Sequence, residues 1–227
     1  TLEHVPDISS FVKGIHDLLS ENGYVLIEVP DTEMIIDQSF IHEIWDEHIS
    51  YFTKISLSNL LVGSGFRIEK IFSVNFRNTK NIVCLAQKTH FFDCNKMAAD
   101  RKSERHFEKR HLRMIQRWNS MNSRLKLALS ETTGPYFALG ASHPQTNFLN
   151  YSGLANQIDW LIDDDPNKFG KYVAFTGFVP IADSQSLFEK FSQGTIIDTA
   201  FLYPDWAKRL RSDLSAKWKI ISPFEFY

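Results

Sequence analysis

No apolar run in this sequence approaches the ~20 residues that cross a bilayer, and the first residues lack the pattern of a secretory leader. A membrane-spanning role is therefore not expected. The two cysteines, Cys84 and Cys94, are too few for a disulfide scaffold and too far apart for a CxxC pair, which fits a reducing, cytoplasmic setting. Neither charge sign dominates: 25 Lys and Arg face 27 Asp and Glu, for a formal net charge of -2. A global electrostatic attraction to nucleic acid or to an anionic membrane is thus missing. GxSxG, HExxH and GxGxxG are absent too, so no nucleophile elbow, zinc helix or dinucleotide loop announces itself.

What is present is core material. The chain of 227 residues is 43% hydrophobic and 14% aromatic, with 19 Phe, enough to bury one large domain or two small ones. Asp7 predicts the cap of a helix from Ile8 to Leu19 with Phe11, Ile15, Leu18 and Leu19 as its apolar stripe, stopped by Asn22-Gly23. Tyr24 to Pro30, YVLIEVP, reads as a strand buried on both faces. Ser56 is placed as the cap of a helix through Leu61, and FRIEKIFSV and NIVCLAQK as two strands of an antiparallel hairpin. From about Asn95 to Ser130 there is no Gly or Pro, and Phe107, His111, Met114, Ile115, Trp118, Met121 and Leu125 recur at helical spacing. The Lys and Arg residues from Arg101 to Arg117 are of the type that forms a nucleic-acid surface, but they are interleaved with Glu104 and Glu108, and with the chain's overall charge a solvated helix face is the better reading. Beyond it, Tyr136 to Leu139, a Gly140-Ala141-Ser142 turn, and alternating strands and helices predict a small parallel Rossmann-like sheet. The expected division is a first part over 1–90, a helical connector over 91–132 and an α/β domain over 133–227.

The stretch Trp45 to Phe52, WDEHISYF, gathers most of the reactive side chains. His48 titrates near neutrality, and the adjacent Glu47 carboxylate can tune or orient it, which suits a general base; a histidine satisfied by a backbone carbonyl is the alternative. His42, Asp46, Glu47 and His48 include metal-ligand types, but no ligand spacing supports a metal, and none is expected. Downstream, LGASHPQTN follows a strand and precedes a helix, a place for phosphate or a plain structural turn. DDDPNKFGK puts Asp163 after a second strand, where it meets a ribose in nucleotide-binding folds or simply caps a solvated turn.

Three motifs in order resemble one family. LEHVPD with GYVLIEVP is similar to the fourth-strand exit and fifth strand of class I S-adenosylmethionine-dependent methyltransferases. EHISYF resembles the signature of sugar C-methyltransferases that act on nucleotide-linked keto-deoxysugars, and GASHPQTNFLNYSGL, IDWLIDDDPNKFGKY and TGFVPI resemble their C-terminal domain. The resemblance implies His48 as base with Glu47 beside it, Trp45 and Tyr51 against the substrate, and Gly140, Ala141, Ser142, Asn150, Tyr151 and Asp163 holding the nucleotide. Trp45 stands where that family usually has tyrosine, and His143-Pro144-Gln145 replaces the Lys-Gly part of its small-residue loop. The implied cofactor is S-adenosylmethionine, yet its glycine-rich loop is not in these residues.

The chain opens without Met and enters a helix at once, so it is expected to be part of a longer protein. A missing N-terminal half or a partner subunit is expected to cover the edge of residues 24–30. The alternative reading is a nucleotide-sugar-binding module, or a relative without C-methylation activity.

Overall fold

The computed structural model describes residues 1–77, 79–89, 101–173, 177–201, 204–214 and 217–226, with only the backbone of 101–106, 204 and 213. The chain forms two compact units, Thr1–Gln38 with Asp46–His111, and Ser39–Trp45 with Leu112–Tyr227. Cys94 and the expected helix start at Asn95 lie outside the described residues.

The first unit carries α1 (Ile8–Leu18), β1 (Tyr24–Pro30), α2 (Thr32–Gln38), α3 (Lys54–Gly63), β2 (Phe66–Phe76) and β3 (Thr79–Lys88). Its sheet runs β1-β3-β2, and both pairings are antiparallel. The Asp7 carboxylate accepts the Ser10 N–H at 3.0 Å and caps α1 as its position predicts. The buried stripe differs from expectation. Val12 is fully buried, with Ile8, Ile15 and Leu19 packed around it, while Phe11 and Leu18 face solvent. The cap of α3 is also corrected. Thr53, not Ser56, occupies it; its hydroxyl accepts from Ser56 N at 3.1 Å while Ser56 Oγ accepts from Thr53 N at 2.8 Å, a reciprocal capping box.

β1 has the predicted limits but not the predicted burial. Ile27 and Val29 point into the core, whereas Tyr24 and Leu26 are 56% and 66% exposed. Among the described strands β1 pairs with β3 alone, so its other edge is unpaired. Cys84 is buried in this core, and burial pushes its thiol up to about 11, which leaves it unreactive at neutral pH.

α4 (Arg101–Ser130) crosses from the first unit's residues into the second's at His111 and Leu112. Met114, Trp118, Met121, Leu125 and Leu129 are its buried stripe, one every three or four residues. The second unit continues with β4 (Tyr136–Leu139), α5 (His143–Ser152), β5 (Trp160–Ile162), β6 (Ile181–Ala182), α6 (Ser184–Lys190), β7 (Gly194–Ile197), α7 (Pro204–Asp213) and β8 (Trp218–Ile221). All four pairings in the order β6-β5-β4-β7-β8 are parallel. Successive β4 side chains alternate between two cores: Ala138 packs with α4 and α5 residues, Phe137 and Leu139 with α6 and α7 residues. This is a Rossmann-like α/β/α sandwich. The strand order reverses between β4 and β7, which opens a crevice beyond their carboxyl ends.

Candidate functional site

In the first unit, two short segments meet. Leu2, 4% exposed, anchors a 3-10 turn over Leu2–His4 in the core. Phe52, 5% exposed, anchors the far end of EHISYF, where its carbonyl accepts Thr32 N–H at 3.0 Å. Between these anchors the Glu3 carbonyl accepts both Ile49 N–H at 2.8 Å and Ser50 N–H at 3.1 Å. Two backbone clamps therefore fix the loop that carries His48.

The clamps bring three ionisable side chains together. Glu3, His4 and His48 present ligand-type atoms that lie within 4.8 Å of one another. The His4 and His48 rings are edge to face with centroids 4.8 Å apart, and Tyr51 stands edge-on to His48 at 6.1 Å. His4 Nδ1 lies 2.7 Å from the Glu47 carbonyl oxygen. A carbonyl only accepts, so Nδ1 carries the hydrogen, while Nε2 lies 3.8 Å from Glu3 Oε1. Burial pushes the His48 imidazole below its ordinary range. The Glu3 carboxylate pulls it back up, His4 pushes it down, and Glu47 has a smaller raising effect. A neutral imidazole with a near-buried carboxylate beside it can take a proton and have the resulting charge stabilised.

Glu47 is exposed and contributes its backbone carbonyl to the cluster. Trp45 falls in the second unit, its ring 4.5 Å from that of His143.

There a cavity of about 310 Å³ opens at the carboxyl ends of β4, β5 and β7, and Gly140, Ala141, Ser142 and Asp163 all line it. Asn150 and Tyr151 do not; they sit in the last turn of α5, where the Tyr151 hydroxyl donates to Ile44 O at 2.7 Å. Gly140 has φ +90, and a Cβ there would stand 3.0 Å from Gln145 Cγ, so glycine is needed where the turn closes on Gln145.

Asp163 Oδ2 accepts Ala141 N–H at 2.9 Å and Lys168 Nζ at 2.7 Å, binding the two loops. Asp164 Oδ2 accepts the Trp206 indole N–H at 2.8 Å. Sequence reading assigned no role to Glu3, His4, Gln145, Lys168 or Trp206. The Glu3-His4 pair within LEHVPD was the available signal; Trp206 had none.

Residues 1–71 match the family model described as a methyltransferase domain. The C-methyltransferase NovU of Streptomyces niveus is 29% identical over 83 residues, 37% of this chain and 20% of that protein. The match thus spans about a fifth of the length of that curated relative. Both comparisons show similarity to methyltransferases over this first part of the chain. Among the described residues no helix is long and apolar enough to cross a membrane.

Proposed function

We propose that this chain is the substrate-side part of an S-adenosylmethionine-dependent C-methyltransferase whose acceptor is a nucleotide-linked keto-sugar. The observation that carries the reading is the clamped Glu3, His4 and His48 cluster within the stretch that matches a methyltransferase domain. Transfer of a methyl group to carbon needs a carbanion. A ketone acidifies the neighbouring C–H, and His48 removes that proton; the bonding pair moves into the enolate. The imidazolium so formed is held by the Glu3 carboxylate. His4, fixed through Glu47 O, packs against the ring and limits its rotation, which keeps the base in line with the C–H.

S-adenosylmethionine would supply the electrophilic methyl group. The described residues of the first unit do not form its cradle: the turn after β1 is Pro30-Asp31-Thr32, with no glycine and with Asp31 occupied by Ser73 and Glu33 N. The cofactor's site is expected outside these residues. The second unit would hold the nucleotide. A nucleotide-sugar-binding role without C–H chemistry is the competing reading.

The test is His48→Ala in the full-length protein. Loss of about 10²–10⁴-fold in turnover with substrate binding retained supports the base; a near-normal rate removes His48 from the mechanism.

A further inference from the structure

We infer that the cavity of the second unit recognises the uncharged nucleoside part of its ligand, base and ribose, and not the diphosphate. The inference rests on the nucleotide-sugar reading above and deepens it.

Charge is the first argument. Asp163, Asp164 and Asp165 line the cavity against one cation, Lys168, and that ammonium is already 2.7 Å from Asp163. A diphosphate placed here would meet an excess of carboxylate in a partly enclosed space, where repulsion is strengthened. The turn itself is the second. Small-residue turns hold phosphate through free N–H groups, but the first two of this turn are taken: Gly140 N–H donates to Ile162 O at 2.7 Å and Ala141 N–H to Asp163. Pro144 has no N–H to offer.

Gln145 points positively to a ligand. It is 1% exposed and lines the cavity. Its Oε1 accepts the Ser142 hydroxyl, and its amide nitrogen has no partner among the described residues. A buried amide presenting unused N–H donors fits a carbonyl oxygen of a base or an oxygen of ribose. Trp206, fixed by Asp164, adds a flat apolar wall of the kind on which bases stack. The cavity's volume, about 310 Å³, is at the lower end for a small-molecule site, roughly 300–1,000 Å³.

The test is calorimetry on the unaltered 227-residue chain with uridine, thymidine, adenosine and guanosine, their 5′-diphosphates, the corresponding nucleotide-linked sugars, and inorganic pyrophosphate. One nucleoside is expected to bind within about threefold of its diphosphate, with little salt dependence, while pyrophosphate does not bind. Trp206→Ala should weaken that nucleoside about tenfold or more, and Asp165→Asn should favour the diphosphate over the nucleoside. Pyrophosphate binding, or a diphosphate more than about tenfold tighter than its nucleoside, overturns the inference and leaves the nucleotide-sugar reading standing. If nucleosides, diphosphates and nucleotide-linked sugars all fail to bind, both fall. The ligand series needs no variant, so a substitution that misfolds does not change its outcome.

Discussion

His4 stands edge-on to His48 with the ring centroids 4.8 Å apart, while its own Nδ1 is tied to the Glu47 carbonyl at 2.7 Å. A residue from one segment thus holds the loop and the ring of the proposed base in another, more than forty positions away. Glu3, its neighbour, supplies the charge that favours protonation of His48. Removing that carboxylate without removing the Glu3 carbonyl clamp separates electrostatics from architecture. Glu3→Gln is expected to lower the His48 titration midpoint further, followed by histidine ring NMR. A midpoint that rises or stays fixed would deny Glu3 this role.

A second pair, in the other unit, makes a prediction about pH. His42 is 1% exposed with neither ring nitrogen bonded, and Glu43 Oε1 is buried without a partner among the described residues, 3.9 Å from His42 Nε2. Burial lowers His42 from 6.5 to about 3 and raises Glu43 from 4.5 to about 7. The His42 contribution to stability is present above 6.5 and lost as pH falls toward 3; that of Glu43 is present below 4.5 and lost as pH rises toward 7. Between 4.5 and 6.5 the two slopes oppose and cancel. Denaturant unfolding of the wild type should therefore show no slope from this pair in that window. His42→Phe should expose the Glu43 slope, a loss approaching about 1.4 kcal/mol per pH unit on going up. An unchanged profile would contradict the assignment.

The capping box at α3 is worth testing because this helix follows directly on the EHISYF loop. Thr53→Ala removes a hydroxyl acceptor from Ser56 N and should cost about 1 kcal/mol in urea unfolding. A loss no larger than the scatter would mean that Ser56 caps the helix by itself.

The exposed apolar face and unpaired edge of β1 lead to a further expectation. Edges of this kind recruit other chains. Leu26→Lys in the 227-residue chain should reduce concentration-dependent association in sedimentation without lowering the melting temperature, since Leu26 is 66% exposed. Unchanged association would show that this edge is not what pairs.

The limits of β1 and β4 were legible because each is a compact apolar run between breakers. The α1 stripe was legible in part. Ile15 and Leu19 pack in the core as expected, but Phe11 and Leu18 face solvent, and Val12 and Ile8, which extend the same helical spacing, take their place. Thr53 and Ser56 are both cap-type residues, and the reciprocal bonds between them settle which is the cap. Of the candidate site, His48 stood out by residue type. Glu3 and His4 did not, because their meaning lies in contacts across more than forty residues. Trp206, which reaches Asp164 from 42 positions away, could not be read for the same reason.

The most direct test of the central claim is solvent deuterium exchange at the sugar carbon beside the carbonyl, followed by NMR on full-length protein with a nucleotide-linked keto-sugar added. Exchange that persists without methyl transfer and disappears in His48→Ala is the predicted result. Bound sugar that does not exchange, or exchange untouched by the substitution, would contradict it.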